Sequence, residues 1–101
     1  MQTTEIQEGS VVALLTETPD EAPWLARVKN VEEDTVRLVW LEGGYNTKWK
    51  TARTKFGRRM VDWEDTVSRR CIILSGFRLN KSSKLDNNAV RLIQDTYASH
   101  F

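Results

Sequence analysis

Four aromatic side chains in the first half of the chain are the residues best suited to bind a ligand. The faces of indole and phenol rings attract cations, with a gain of about 0.5–2 kcal/mol per contact. They lie on predicted strands that tight turns join, because paired glycines such as Gly43-Gly44 supply the positive φ of a hairpin. We therefore predict an aromatic pocket lined by Trp24, Trp40, Tyr45 and Trp49. The acids that could stand near such a pocket are Asp20, Glu21 and Glu42.

The same aromatic residues could instead fill a core, because aromatic side chains dominate burial in small domains. Side chains alternate between the two faces of a strand, so Trp40 shares a face with Val36 and Leu38. This alternation favours a core position for Trp40. We also expect Trp63 and Phe77 to be core residues. The sequence leaves the pocket and the core as alternatives.

A basic segment follows the aromatic group, with no acidic residue between Tyr45 and Val61. Its cations could meet phosphates while Trp49 and Phe56 stack on bases. A solvated loop whose charge maintains solubility is the alternative. The predicted nucleic-acid-binding residues are Lys48, Lys50, Arg53, Lys55, Arg58 and Arg59.

Composition limits the classes of function. The chain has 101 residues, enough for one domain, and its formal net charge is +1, so a nucleic-acid site needs local clustering. One cysteine, Cys71, excludes an internal disulfide and a cysteine-built zinc site. The single histidine, His100, is penultimate, and neither phosphate-binding glycine motifs nor metal-ligand spacings occur. We expect no enzyme activity, no cofactor, no metal and no membrane partner.

The pattern of apolar residues predicts strands followed by one helix. Strands are expected at 10–15, 24–31, 35–41, 45–50 and 70–74, with a loop over 51–59 and a turn or one helical turn at 65–68. From Leu85 onward, apolar residues recur at three- and four-residue steps, which is typical of an amphipathic helix, and Asp86 is a candidate N-cap. We predict a mainly β fold, a five-stranded SH3-like barrel with one C-terminal α-helix. The domain layout is a lead-in over 1–8, the barrel over 9–79 and the helix over 80–101.

Residues 9–50 resemble Tudor domains and related chromatin-reader barrels of the chromo-barrel and BAH type. The resemblance rests on three segments, Gly9-Ser10-Val11-Val12-Ala13, Pro23-Trp24-Leu25-Ala26-Arg27-Val28 and Val36 to Trp40 followed by Gly-Gly-Tyr-Asn. The first strand ends in Leu14 and Leu15, where Tudor cages usually carry an aromatic residue. The second half, from Trp63 to Leu79, has a weaker resemblance to the C-terminal regions of integrase-type transposon proteins.

These resemblances imply a nuclear, chromatin-associated binding module. One hypothesis is that the aromatic pocket recognises a histone or other protein tail, with methylated lysine or arginine as the candidate ligand. A second is an integrase-like domain that binds DNA through the basic segment at 48–59. A third is a structural or dimerising module that docks through a strand edge or the helix.

Overall fold

The computed structural model describes residues 6–16 and 22–100. Within them the chain forms eight strands, a 3₁₀ turn at Arg69–Cys71 and one α-helix. The strands are β1 Val11–Leu14, β2 Trp24–Val31, β3 Thr35–Glu42, β4 Lys50–Thr51, β5 Arg53–Phe56, β6 Arg59–Asp62, β7 Glu64–Ser68 and β8 Ile72–Phe77, and the helix is α1 Asn87–His100.

Six strands form one antiparallel sheet, and the other two form a separate hairpin. The main order is β4-β3-β2-β1-β8, and β7 also pairs with β3. One edge of β3 is shared: β7 covers residues 35–39 and β4 covers residues 41 and 42. The hairpin of β5 and β6 extends away from this edge of β3, between the parts that β7 and β4 cover, at the level of Trp40. We call residues 53–62 the arm.

The prediction of a mainly β fold with one C-terminal helix is confirmed. The five-stranded closed barrel is not confirmed, because no pairing joins β7 to β8 in the described part of the chain. The 3₁₀ turn at Arg69–Cys71 separates these two strands, and its first residue is held by a bond from Arg69 N to Asp34 O. At this turn the backbone stops pairing with β3, and the next strand, β8, pairs with β1.

Apolar side chains are buried on both faces of the sheet, which divides the core into two clusters. On one face, Val11, Ala13 and Leu25 pack with α1 through Ile93 and Tyr97; we call this the helix-side core. On the other face, the strand-side core consists of Val12, Leu14, Ala26, Val28, Val36 and Leu38. Two covered faces explain why Leu25 and Ala26, which are neighbours on β2 and point to opposite sides, are both fully buried.

The helix begins directly after the predicted N-cap Asp86, whereas residues 80–86 of the segment assigned to the helix are not helical. The carboxylate of Asp86 accepts a hydrogen bond from Ala89 N at 2.7 Å, which satisfies one of the free N–H groups of the first turn. Near the other end, Tyr97 OH donates to Leu14 O at 2.7 Å and accepts from Trp24 N at 3.2 Å. This one hydroxyl therefore joins α1 to the end of β1 and the start of β2.

The first three strands and the helix confirm the sequence predictions, whereas the region from 45 to 71 does not. The predicted strand at 45–50 is mostly a turn followed by the two residues of β4. The predicted loop at 51–59 is wrong, because these residues form most of the arm hairpin. The predicted turn at 65–68 is also wrong, because β7 pairs with β3 over five residues.

Candidate functional site: a tryptophan cleft beside a basic arm

Three tryptophans lie in a row: Trp24 on β2, Trp40 on β3, and Trp63 at the junction of β6 and β7. The rings of Trp24 and Trp40 meet edge to face with centroids 5.6 Å apart, and Trp63 tilts against Trp40 at 6.1 Å. Trp24 is 52% exposed and Trp63 48% exposed, with the partly buried Trp40 between them. Such large exposed indoles are unusual on a surface without a binding role.

The strand register brings these rings together. Ala26 lies directly opposite Trp40, so its methyl group leaves room for the ring of Trp24 two residues away on the same face. On the other side of β3, Trp40 N donates to Trp63 O at 2.9 Å, which places Trp63 where the arm returns to the sheet. Ala52 fixes the base of the arm, because its N donates to Trp40 O and its O accepts from Trp63 N.

The row borders a cleft of about 390 Å³. Its apolar lining comes from the three rings, Leu41 and Ala52, and its charged lining from Glu42, Arg53 and Asp65. We call this site the tryptophan cleft.

Each charged group of the cleft already has a partner within the domain. Asp65 accepts a hydrogen bond from Trp40 Nε1 at 3.2 Å, Glu42 pairs with Lys50 at 3.5 Å, and Arg53 donates to Met60 O at 2.7 Å. The surface left for a ligand is therefore mainly aromatic and aliphatic.

The predicted four-residue aromatic pocket does not exist as one site. Trp24 and Trp40 line the tryptophan cleft, but Trp49 is 5% exposed and belongs to the helix-side core, with Tyr45 packed against that core. Trp49 is clamped by the turn before it, since a Cβ at Gly43 would stand only 2.6 Å from its ring. Its buried Nε1 has no hydrogen-bond partner among the described residues. Of the predicted rim acids, Glu42 is at the cleft, while Asp20 and Glu21 lie outside the described residues.

Sequence reasoning missed two members of the cleft. Trp63 was expected in the core, yet about half of its side chain is exposed. Asp65, expected in a turn, lies on β7 and fixes the ring of Trp40. No local signal marked Trp63 as exposed, because the flanking acids Asp62 and Glu64 also fit a strand whose middle residue points into a core.

The six predicted basic residues are exposed but occupy two places. Lys48 and Lys50 lie at the start of β4, whereas Arg53, Lys55, Arg58 and Arg59 lie on the arm. Lys50 and Arg53 are partly neutralised, since Lys50 pairs with Glu42 and Arg53 Nε lies 3.8 Å from Asp62 Oδ1. Whether any of them binds nucleic acid stays a prediction.

Two titratable groups outside the cleft have shifted pKa values. The hydrogen bond from Lys29 is the main cause that lowers the pKa of Glu64 below 4.5; desolvation opposes it, and the charges of Lys29 and Arg37 add to the lowering. Burial raises the pKa of Tyr97 to about 12. Both groups act as structural ties: Glu64 pairs with Lys29 and Arg37, and the Tyr97 hydroxyl bonds Leu14 O and the backbone N of Trp24.

Over residues 6–16 and 22–100, no three His, Cys, Asp or Glu side chains are grouped so as to hold a metal ion. No helix in the described part of the chain has the length and apolar character needed to cross a bilayer. The arrangement offers a surface for binding, built from three indoles and an adjacent basic arm.

The family model of the NIPBL cohesin loader C-terminal domain matches residues 6–100. The chain belongs to this family. It is 30% identical over 89 residues to Nipped-B-like protein of Mus musculus, 29% over 94 residues to Nipped-B-like protein B of Danio rerio, and 29% over 89 residues to Nipped-B-like protein of Homo sapiens. These matches cover 88%, 93% and 88% of the chain but 3% of each relative. No solved structure matches the chain.

Membership of the NIPBL C-terminal family corrects the resemblance drawn from the sequence. The chain is not a Tudor, chromo-barrel or BAH domain, and its function is not that of a methyl-lysine reader. The Tudor pattern misled because short β-strands that carry tryptophans and end in glycine turns occur in many small β folds. The separation of Trp49 and Tyr45 from Trp24 agrees with this correction, because the rings cannot surround one cation.

Proposed function

We propose that this domain takes part in cohesin loading by docking onto cohesin through the tryptophan cleft. The observation that supports the proposal is the match to a cohesin loader C-terminal domain over residues 6–100, nearly the whole chain. A loader must contact the complex that it loads, and the cleft is the part of this domain that offers exposed aromatic surface. In this proposal the domain acts in the nucleus, on chromatin, by binding and without catalysis.

The chemistry of the cleft favours an uncharged, apolar segment of the partner. Glu42 is paired with Lys50, and the charge of Asp65 is matched within the lining by Arg53, so the cleft has little net charge with which to attract a cation. The open indole faces of Trp24 and Trp63 can instead cover an aliphatic side chain or a proline ring. Tryptophan is among the residues that most often dominate interface energies, and its truncation costs about 2 kcal/mol or more at such positions.

The test compares two truncations of exposed apolar residues in the protein that carries this domain. Trp63→Ala removes one wall of the cleft, and Leu92→Ala removes a comparably exposed residue (45%) from α1. If the cleft docks cohesin, Trp63→Ala weakens binding of purified cohesin by about 30-fold, the equivalent of 2 kcal/mol. Chromatin-bound cohesin, measured by fractionation, falls in the same variant and not in Leu92→Ala.

A thermal unfolding curve of each variant separates lost docking from lost folding. Both variants are expected to unfold within a few degrees of the native protein, because each change is at the surface. Equal cohesin binding by Trp63→Ala and the native protein, with both folded, would contradict docking at the cleft. The same proposal fails if the Leu92→Ala control loses as much binding as Trp63→Ala.

A further inference from the structure

The arm is a second surface that the docking proposal does not use. None of its residues is buried: both strands are exposed along their length, apart from Val61, which is half-buried. Its turn carries Phe56, the side chain with the largest exposure among the large hydrophobic residues described, at 77%. Gly57, with φ of +65°, takes the first central position of this turn, as in a type II′ hairpin.

The charges of the arm are strongly one-sided near its tip. Asp62, its single carboxylate, lies at the base beside Arg53. Among the described residues, no carboxylate stands within ion-pair distance of Lys55, Arg58 or Arg59. Three cations therefore project at the end of the arm, on a chain whose formal net charge is only +1. Such local clustering produces a positive potential that the total charge conceals.

The register distributes these groups over both faces of the ribbon. Phe56 lies directly opposite Arg59, and Lys55 lies directly opposite Met60. Paired residues share a face and neighbours alternate, so each face carries one cation and one exposed apolar side chain. Neither face has the continuous apolar surface that the centre of a protein interface requires, and lysine is depleted at such centres.

We propose that the arm binds duplex DNA, with Lys55, Arg58 and Arg59 on the phosphates and Phe56 in contact with the bases. A single two-stranded ribbon is narrow enough to enter the major groove, which is about 12 Å wide. Guanidinium groups match the geometry of phosphate oxygens, and an apolar side chain such as phenylalanine can contact the thymine methyl group in the major groove. Contacts on both faces of the ribbon suit a groove, whose two walls carry phosphates.

The experiment measures affinity of this chain for a 20-base-pair duplex across a range of salt concentrations. The arm variant is Lys55→Ala/Arg58→Ala/Arg59→Ala. The matched control removes the same charge from exposed cations elsewhere, as Arg78→Ala/Lys81→Ala/Arg91→Ala. We expect the arm variant to bind at least tenfold more weakly at low salt. The slope of log K against log salt should shrink by about 2–3, since each phosphate contact contributes about 0.9.

A second variant separates the contact of Phe56 with the bases from the contribution of the arm's positive charge. Phe56→Ala should weaken binding several-fold and leave the salt slope unchanged, because the ring carries no charge. Equal losses in the arm and control triple variants would overturn the proposal, since they would reflect total charge alone. Binding of polyglutamate as tight as that of DNA would also overturn it, because the arm would then prefer any polyanion, including an acidic protein.

This inference and the docking proposal can fail independently. Trp63→Ala leaves every arm cation in place and is expected to keep native affinity for the duplex. The arm variant leaves the three rings in place and is expected to keep native affinity for purified cohesin.

Discussion

Trp49 and Trp63 are each flanked by two charged residues, but they lie in opposite environments. Each stands between two charged residues, Lys48 and Lys50 for the first, Asp62 and Glu64 for the second. Trp49 is 5% exposed and Trp63 is 48% exposed. The residues next to them do not account for the difference, since side chains alternate along an extended chain and charged neighbours leave the burial of the middle residue open.

What separates the two tryptophans is the part of the chain that covers them. The face of the sheet that holds Trp49 is covered by α1, whose Ile93 and Tyr97 come from more than 40 positions away in the sequence. Trp63 instead lies at the base of the arm, where the chain returns to β3. In this fold, the presence or absence of a covering segment from a distant part of the sequence decides whether an indole stabilises the core or is open for binding.

Truncating the two tryptophans is the largest test of this contrast. Trp49→Ala should lower the free energy of unfolding by about 3–5 kcal/mol, as expected for the loss of a buried aromatic ring. Trp63→Ala should lower it by less than about 1 kcal/mol, because half of the ring is already in water. Denaturant unfolding of both variants measures the difference. Equal losses would mean that the two environments are alike.

A pair of glycine substitutions tests how tightly Trp49 is held. Gly43→Ala would place a Cβ 2.6 Å from Cδ2 of the Trp49 ring, whereas the nearest atom to a Cβ at Gly44 is Thr47 Oγ1 at 3.5 Å. Overpacking of this kind costs about 1–3 kcal/mol, so Gly43→Ala should unfold at lower denaturant concentration. Gly44→Ala is the matched control and should behave nearly as the native chain. The account of a clamped Trp49 does not survive if the two variants unfold together.

Tyr97→Phe tests the tie between α1 and the strand that carries Trp24. The change removes the hydrogen bond from the hydroxyl to Leu14 O and the one that it accepts from Trp24 N, which should cost about 1–2 kcal/mol. Burial raises the pKa of Tyr97 from 10.0 to about 12, so the folded state holds this proton more tightly than the unfolded state. Its contribution to stability is complete below pH 10 and is lost as the pH rises from 10 to 12.

Unfolding measured at pH 9 and pH 12 isolates that contribution. The native chain should lose more stability between the two values than Tyr97→Phe, which has no phenol to titrate at this position. An identical pH dependence in both proteins would show that the Tyr97 hydroxyl is not held as described.

Elements with local signals could be predicted from the sequence. The strand Trp24–Val31 could be predicted from the alternation of its side chains. The cap at Asp86 could be predicted because its carboxylate lies three residues before Ala89, whose N–H is free in the first turn of the helix. The arm was missed because Arg53 to Asp62 has few apolar residues, and an exposed ribbon has no buried face to impose alternation. Gly57 was the remaining signal, as a single glycine between Phe56 and two arginines.

The candidate site could be predicted only in part for a related reason. Trp40 lies opposite Ala26, which is two residues from Trp24 on the adjacent strand. A hairpin between residues 31 and 35 makes this pairing foreseeable from the sequence. Trp63 joins them through a connection that first extends into the arm, and no local pattern encodes its return to β3. Burial of Trp49 depends on α1, so its absence from the predicted pocket could be recognised only from the tertiary structure.

Oxidative footprinting of the four tryptophans, read by mass spectrometry with and without purified cohesin, measures whether cohesin covers the tryptophan cleft. We predict that Trp24 and Trp63 are modified faster than Trp49 in the free protein. Cohesin should slow the modification of Trp24 and Trp63 and leave the modification rate of Trp49 unchanged. Unaltered modification of Trp24 and Trp63 at saturating cohesin would contradict docking at the tryptophan cleft.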